Sequence, residues 1–331
     1  MRRFRAAAVL TVVLAAALLP LLGAGGARAA APRPRRTVGI LVSNLYNLSP
    51  GNESFSAKFD LWTTCRGEHG LDPLTSLDFS DTEEVAEEAL ESRTVDGERW
   101  TILTATATFH HGWEVDDFPF DRHRLDIRFH LVRPEREQAF TVDREGSLVL
   151  PDINLGDYAM TGFEVAPAAV TYPTALGNPA DDSAAGRRHS GLLASVHLRR
   201  AHYAGFLTAI SPLYIAVAFT AITFLTTSRD SDVMLARLGL AGSGLFAVVI
   251  NMQVTHSQLG TSGLGLSDVL HIAGLAFVIV AVAATVACWQ KVTRMEHVLR
   301  LKQLNRKLGL AAVALYVLFN AAVFVYGGWW L

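Results

Sequence analysis

The chain is poor in cysteine, in net charge and in the short motifs that carry enzyme chemistry. Its 331 residues include two cysteines, Cys65 and Cys288. One falls in a mixed polar region and the other in a long apolar run. They are not expected to pair, so the fold must be held by its core or by assembly. Lysine and arginine total 29 against 31 acidic residues. That balance lacks the one-sided charge of a polyanion-binding protein, and no nucleic-acid partner is expected. There is no phosphate-binding glycine loop, no nucleophile elbow and no Cys-x-x-Cys pair. His110, His111, His130 and Glu114 match no standard metal-site spacing, and alternate strand positions point to opposite faces. Enzyme activity, a metal site and a cofactor are therefore not expected.

What the sequence does have is apolar residues, unevenly placed. After Arg36 and up to about Arg200, polar and apolar residues are mixed; from Tyr203 onward the chain is mostly apolar. A basic start (Arg2, Arg3, Arg5), an apolar run from Ala6 to Leu22 and the small-residue site Ala27-Arg28-Ala29 read as a secretory signal peptide over residues 1–29. Cleaved or kept as an anchor, it places the following domain outside. Crossing a hydrocarbon core of about 30 Å takes roughly twenty helical residues. Four stretches qualify, at about 203–226, 233–255, 269–289 and 308–330. The third connection holds Lys291, Arg294, Arg300, Lys302, Arg306 and Lys307, whereas Ser257 to Ser267 holds no Lys or Arg. The positive-inside rule places the basic connection in the cytoplasm. A multi-pass protein of the cell membrane results, with the lipid bilayer as its surroundings and both ends outside.

Residues 30–200 read as strands. In Leu125-Asp126-Ile127-Arg128-Phe129-His130-Leu131 apolar residues alternate with charged residues or His, giving one buried and one wet face. Ala194, Val196 and Leu198 alternate in the same way, and Thr101 to Phe109 has strand composition. Turn-forming groups such as Ser49-Pro50-Gly51-Asn52 and Asp96-Gly97 separate the runs. The expected fold class is an all-β sandwich outside the membrane, followed by a four-helix transmembrane bundle over residues 201–331. The acidic stretch Glu83 to Glu91 is expected as a short solvated helix.

Phe118-Pro119-Phe120-Asp121, running through Arg122-His123-Arg124-Leu125 into an alternating strand, resembles the signature loop of pentameric ligand-gated ion channels, in the bacterial form without flanking cysteines. Pro212 in the first span, Arg200 twelve residues before it and Asp268 opening the third span fit the same pattern. The resemblance implies a homo-oligomer of five subunits around a pore lined by the second span. It also implies an ion pair between Asp121 and Arg200 where the two domains meet. Counting back from Asp268, it places Leu238, Gly242, Leu245, Val249, Met252 and His256 on the pore face, with Leu245 as the gate. These residues step by four and three, one face of a helix. Phe246, about 100° around the helix, is expected to face other helices. Arg237, Asn251 and Gln253 would be costly if exposed to lipid, which favours a closed ring.

The resemblance also implies a small-molecule agonist, its identity open, bound outside under a flap whose matching stretch is Gly177 to Gly191. Phe79, Trp113 and Tyr172 are the aromatic candidates for that site. Monovalent ions would permeate, cations being favoured although Leu235 stands at the position where cation-selective relatives carry a carboxylate. The alternative reading is a membrane-anchored sensor or binding module that conducts nothing. The short cytoplasmic connections leave such a sensor no output domain.

Overall fold

A computed structural model describes residues 35–66, 72–132, 139–174, 187–228, 230–260, 263–292 and 298–329. The segment read as a signal peptide and residues 177–186 of the expected flap lie outside the described residues, as do Arg229, Arg294 and Glu296. Ten strands come first: β1 (Arg35–Ser49), β2 (Ser54–Arg66), β3 (Leu77–Phe79), β4 (Thr82–Val95), β5 (Glu98–His110), β6 (Arg122–Leu131), β7 (Ala139–Val142), β8 (Leu148–Val149), β9 (Tyr158–Tyr172) and β10 (Arg187–Arg200). One sheet runs β4-β5-β2-β1-β7, with β8 also paired to β1, and the other runs β3-β6-β10-β9. Period-two alternation drives the two sheets together. Phe55, Phe59, Leu61, Leu103 and Phe109 from the first and Leu125, Ile127, Phe129, Leu192 and Val196 from the second are fully buried. The β4–β5 hairpin turns at Asp96-Gly97, both with positive φ (52° and 78°), the backbone that a two-residue hairpin demands.

The acidic stretch is a strand, not a helix. Every residue from Ser92 to Val95 pairs with β5, as does most of the run from Thr82 to Glu91. Glu88 is fixed by Lys58 at 2.6 Å and by Thr106 at 2.7 Å. Glutamate and alanine favour helix locally, but edge pairing along a whole neighbouring strand outweighs a propensity difference of a few tenths of a kcal/mol per residue. The solvated face is there, since nearly all of β4 is exposed.

Four helices follow: α1 (Ala204–Ala221, extended by a 3-10 turn to Phe224), α2 (Ser231–Leu259), α3 (Leu266–Val292) and α4 (Val298–Trp329). All four are long and apolar enough to cross a membrane. Pro212 lies inside α1. Asp230 caps α2, its carboxylate accepting from the Asp232 amide at 2.9 Å. Gly260, with φ of 65°, ends α2 in the left-handed conformation that glycine takes without steric penalty. The connection after α3 is shorter than hydropathy suggested. Lys291 sits on the last turns of α3, and Arg300, Lys302, Arg306 and Lys307 lie on the first turns of α4. Leu, Gln, Lys and Arg are good helix formers, so the helix extends past the apolar boundary.

Candidate functional site

The end of the sandwich nearest the helices is built around one ion pair. Arg200, the last residue of β10, meets Asp121 in the loop before β6. Its Nε lies 2.7 Å from one carboxylate oxygen and its Nη2 lies 3.0 Å from the other, a two-pronged contact. Asp121 is 2% exposed and Arg200 is 8% exposed. Burying both charges is costly unless the remaining hydrogen-bonding positions are filled, and here they are. His123 Nε2 lies 2.6 Å from Asp121 Oδ2. The Tyr158 hydroxyl donates to that oxygen at 3.4 Å and accepts from Arg200 at 2.5 Å. Asp157 takes the third arm of the guanidinium at 3.5 Å. The flat guanidinium lies over Phe118 at 4.8 Å and over Tyr158 at 4.5 Å, so aromatic faces replace water around the charge.

The carboxyl of Asp121 is held low, at about 2. Burial pushes it up, and the hydrogen bonds from His123 and then Arg200 outweigh that push. Burial also lowers His111, to about 4, with the nearby His123 adding to the effect. His111 stands edge-on to Trp113 at 5.0 Å, and Trp113 stands edge-on to His123 at 4.6 Å. Trp113, one of the aromatics marked for an agonist, is thus packed in the core beside the ion pair and is 9% exposed.

Four further ties join the sandwich to the helices or to the residue just before them. Phe118 packs on Phe206 of α1 with ring centres 5.6 Å apart, and Phe206 packs on Phe324 of α4 at 5.4 Å. Phe120 approaches Tyr203 at 6.3 Å, and Pro119 follows Phe118 through a cis peptide bond. The Asp116 carbonyl accepts from the Leu266 amide, at the start of α3, at 2.7 Å. The Pro50–Gly51 turn between β1 and β2 touches the end of α2. A side chain on Gly51 would strike the Ser257 carbonyl, and one on Gly260 would come within 2.6 Å of the Pro50 carbonyl. The Pro50–Gly51 turn thus meets the end of α2, and the Asp116 loop holds the start of α3. Beside the ion pair lies a cavity of about 570 Å³, lined by Tyr46, Phe118, Asp157, Tyr158 and Arg200 from the sandwich and by Ala209, Thr255 and Gln258 from the helices.

On α2 a single stripe is buried against the other helices: Arg237, Ala241, Gly244, Val248, Asn251, Thr255 and Leu259. The six residues expected on the pore face lie one position further round. None of them is buried: Gly242, Leu245 and Val249 are exposed, and Leu238, Met252 and His256 are intermediate. His256 Nε2 reaches Asp268 of α3 at 2.6 Å. Phe246 is 68% exposed, against 38% for Leu245. The expectation that it faces other helices is corrected within this chain, because the helix rotation turns it away from the α1–α3 side. Arg237 and Asn251 do not face outward. Asn251 donates to the Ala209 carbonyl at 3.0 Å and meets His271 Nε2 at 2.8 Å. Of the three polar residues thought to force assembly, only Gln253 is exposed.

The remaining aromatic candidates are spread out. Phe79 packs between Phe59 and Phe129, at 5.7 and 5.8 Å. Tyr172 is half-buried and meets His130. Phe79, Trp113 and Tyr172 share no ring contact with one another. Sequence reasoning missed His123, Tyr158 and Asp157 around the ion pair and Asp116 at the helix connection. His123 continues the inner face of β6 as a polar residue ahead of the apolar run that begins at Leu125, and nothing local ties residues 157–158 to Asp121. Neither known family profiles nor curated proteins match the chain.

Proposed function

We propose that the chain is one subunit of a ligand-gated ion channel, a homo-oligomer of five copies by its resemblance to the pentameric channels. In this reading α2 of each copy lines a central pore. The sandwich stands outside the membrane and receives a small-molecule agonist. The observation that carries the reading is the double contact of the sandwich with the end of α2 and the start of α3, through Gly51 against Gly260 and Asp116 against Leu266. A shift of the sandwich would be passed directly to the end of the helix that is proposed to gate. The Asp121–Arg200 pair supports this by making the end of the sandwich and the start of α1 one stiff unit.

The unburied face of α2 supports a pore lined by Leu238, Gly242, Leu245, Val249, Met252 and His256. Its middle is apolar, and a narrow apolar ring can stop ions by excluding water. Asp230 and Asp232 are exposed at the start of α2 while Arg237 is buried. Carboxylates near the cytoplasmic mouth favour monovalent cations. The signal-peptide-like start and the basic residues at the start of α4 support an outside location for the sandwich. The test is a recording of the purified chain in planar bilayers with an agonist panel and ion substitution. Agonist-evoked steps whose reversal potential follows the cation gradient are expected. Well-formed rings that never conduct would overturn the reading in favour of a non-conducting sensor.

A further inference from the structure

Two histidines on the outer face of the second sheet carry buried nitrogens that nothing among the described residues satisfies. His130 on β6 is 3% exposed and His189 on β10 is 4% exposed. Alternation assigns His130 to the wet face of its strand, so its burial is unusual there. The strand register gathers its neighbours. Gly191 lies opposite His130, and His189 is two residues before Gly191, on the same face. Asp78 on β3 also lies opposite His130, and Tyr172 on β9 is two residues beyond Val170, the partner of His189.

The protons on both rings can be assigned from their partners. His189 Nδ1 lies 2.9 Å from the Leu131 carbonyl, which can only accept, so Nδ1 carries the hydrogen and Nε2 is a lone pair. His130 Nε2 lies 2.9 Å from the Tyr172 hydroxyl and 3.4 Å from an Asp78 carboxylate oxygen. The Asp78 carboxylate can only accept, so His130 Nε2 carries the hydrogen, and the Tyr172 hydroxyl accepts from it. His130 Nδ1 is then a lone pair. Both lone pairs, His130 Nδ1 and His189 Nε2, are buried without a partner among the described residues. The ring centres are 6.0 Å apart and the rings stand at 83° to each other.

A buried acceptor without a donor is a standing penalty, and two on adjacent imidazoles point to a shared Lewis acid. A metal ion about 2 Å from each nitrogen brings two ring centres to roughly 5–6 Å, close to the spacing here. The outer partners are also those of metal-binding imidazoles, whose second nitrogen typically donates to a carbonyl or a carboxylate. Here the Leu131 carbonyl fills that role for His189, and the Tyr172 hydroxyl with the Asp78 carboxylate nearby fills it for His130.

We propose that His130 Nδ1 and His189 Nε2 are the protein ligands of a divalent transition-metal site of the Zn²⁺ class. Among the described residues no group of three His, Cys, Asp or Glu forms a metal cage, so the remaining positions are left to water or an exogenous ligand. Both donor nitrogens are buried, and the neighbouring Asp78 side chain is 54% exposed. The two-ligand set makes it weaker than a four-ligand structural zinc. It rests on the imidazoles alone and stands whether or not the chain conducts.

The test uses the full chain in detergent, free of any histidine tag and stripped of metal. Dialysis against Zn²⁺ is expected to leave one ion per subunit, and X-ray absorption of that sample is expected to show two imidazole nitrogens. His130→Gln and His189→Gln should each weaken Zn²⁺ binding at least tenfold. His197→Gln, on the same sheet but away from the pair, should leave it unchanged. Absence of Zn²⁺ from the dialysed parent, or absorption showing no imidazole, overturns the proposal. So does parental affinity in both Gln variants. The absorption measurement on the parent decides the matter if the variants fail to fold.

Discussion

Asp121 is the residue on which the junction is most exposed to change. Asp121→Asn keeps the shape and removes the charge, leaving Arg200 buried without its counter-ion. That is expected to destabilise the chain by about 3–5 kcal/mol, seen as a lower midpoint in thermal unfolding at pH 7. The pH dependence has a defined sign. The folded carboxyl is held at about 2, below its ordinary value of 3.8, so its stabilising contribution is fully present above pH 4. It is lost as the pH falls from about 4 to about 2, by an amount on the order of 2 kcal/mol. The Asn variant should lack that component of acid sensitivity. If parent and variant lose stability in parallel over this window, the pair is not the cause.

His111 shows the opposite case, a base kept neutral by burial. Its folded value of about 4 lies below the ordinary 6.5. As the pH falls from 6.5 towards 4 the unfolded chain takes up a proton that the folded chain refuses, so stability declines across that window by roughly 3 kcal/mol. Its Nε2 has no partner among the described residues. His111→Phe should therefore fold and lose the decline, which urea titrations at pH 7 and pH 4.5 would show. An unchanged decline in the Phe variant would assign it to another group.

At the scale of elements, the turn–helix contact and the face of α2 make separate predictions. Gly260 needs its left-handed backbone and also its lack of a side chain, because the Pro50 carbonyl is 2.6 Å from where a Cβ would stand. Gly260→Ala should lose about 1–2 kcal/mol of stability from the backbone alone. Under the channel proposal it should also shift agonist sensitivity, because the turn is pushed off the helix. Leu245→Ser should leak at rest or open at lower agonist concentration, since a hydroxyl lets water into the apolar ring. Phe246 is uncovered in the single chain, so Phe246→Ser should spare the fold of the subunit. It should instead weaken the contact between copies, read as a lower assembled fraction on native mass spectrometry. A leaky Phe246→Ser beside a silent Leu245→Ser would move the pore register by one residue.

At the scale of the whole molecule, the channel proposal needs a source for assembly other than the one the sequence suggested. Arg237 and Asn251 are buried inside the subunit, so sheltering them does not require a ring. Beside the proposed pore face, Leu235, Gly239, Ser243, Phe246, Ile250 and Gln253 of α2 are uncovered. Small residues let helices approach closely, and a polar amide gains a partner at a helix–helix contact. Particle images in detergent should therefore show closed rings, five-fold by the resemblance. Gln253→Leu should reduce assembly only modestly. Monomers and dimers alone would remove the pore from the proposal.

Alternation along β6 and β10 and the unbroken apolar runs of the helices are legible in the sequence alone. They are local signals, because burial on one face repeats with the period of the element itself. They place the sandwich, the four helices and the strand that follows the Asp121 loop. The identity of β4 is not local, since a glutamate-rich run favours helix until β5 offers it a full ladder of hydrogen bonds. Tertiary contact alone decides the rest. Asp157, Tyr158 and His123 close around the ion pair, Gly51 meets Gly260 across about two hundred residues of chain, and His130 and His189 come together on a face marked as wet. Each depends on which strands lie side by side and which turns meet the helix ends. Sequence periodicity reports which way a residue faces but not what stands opposite it.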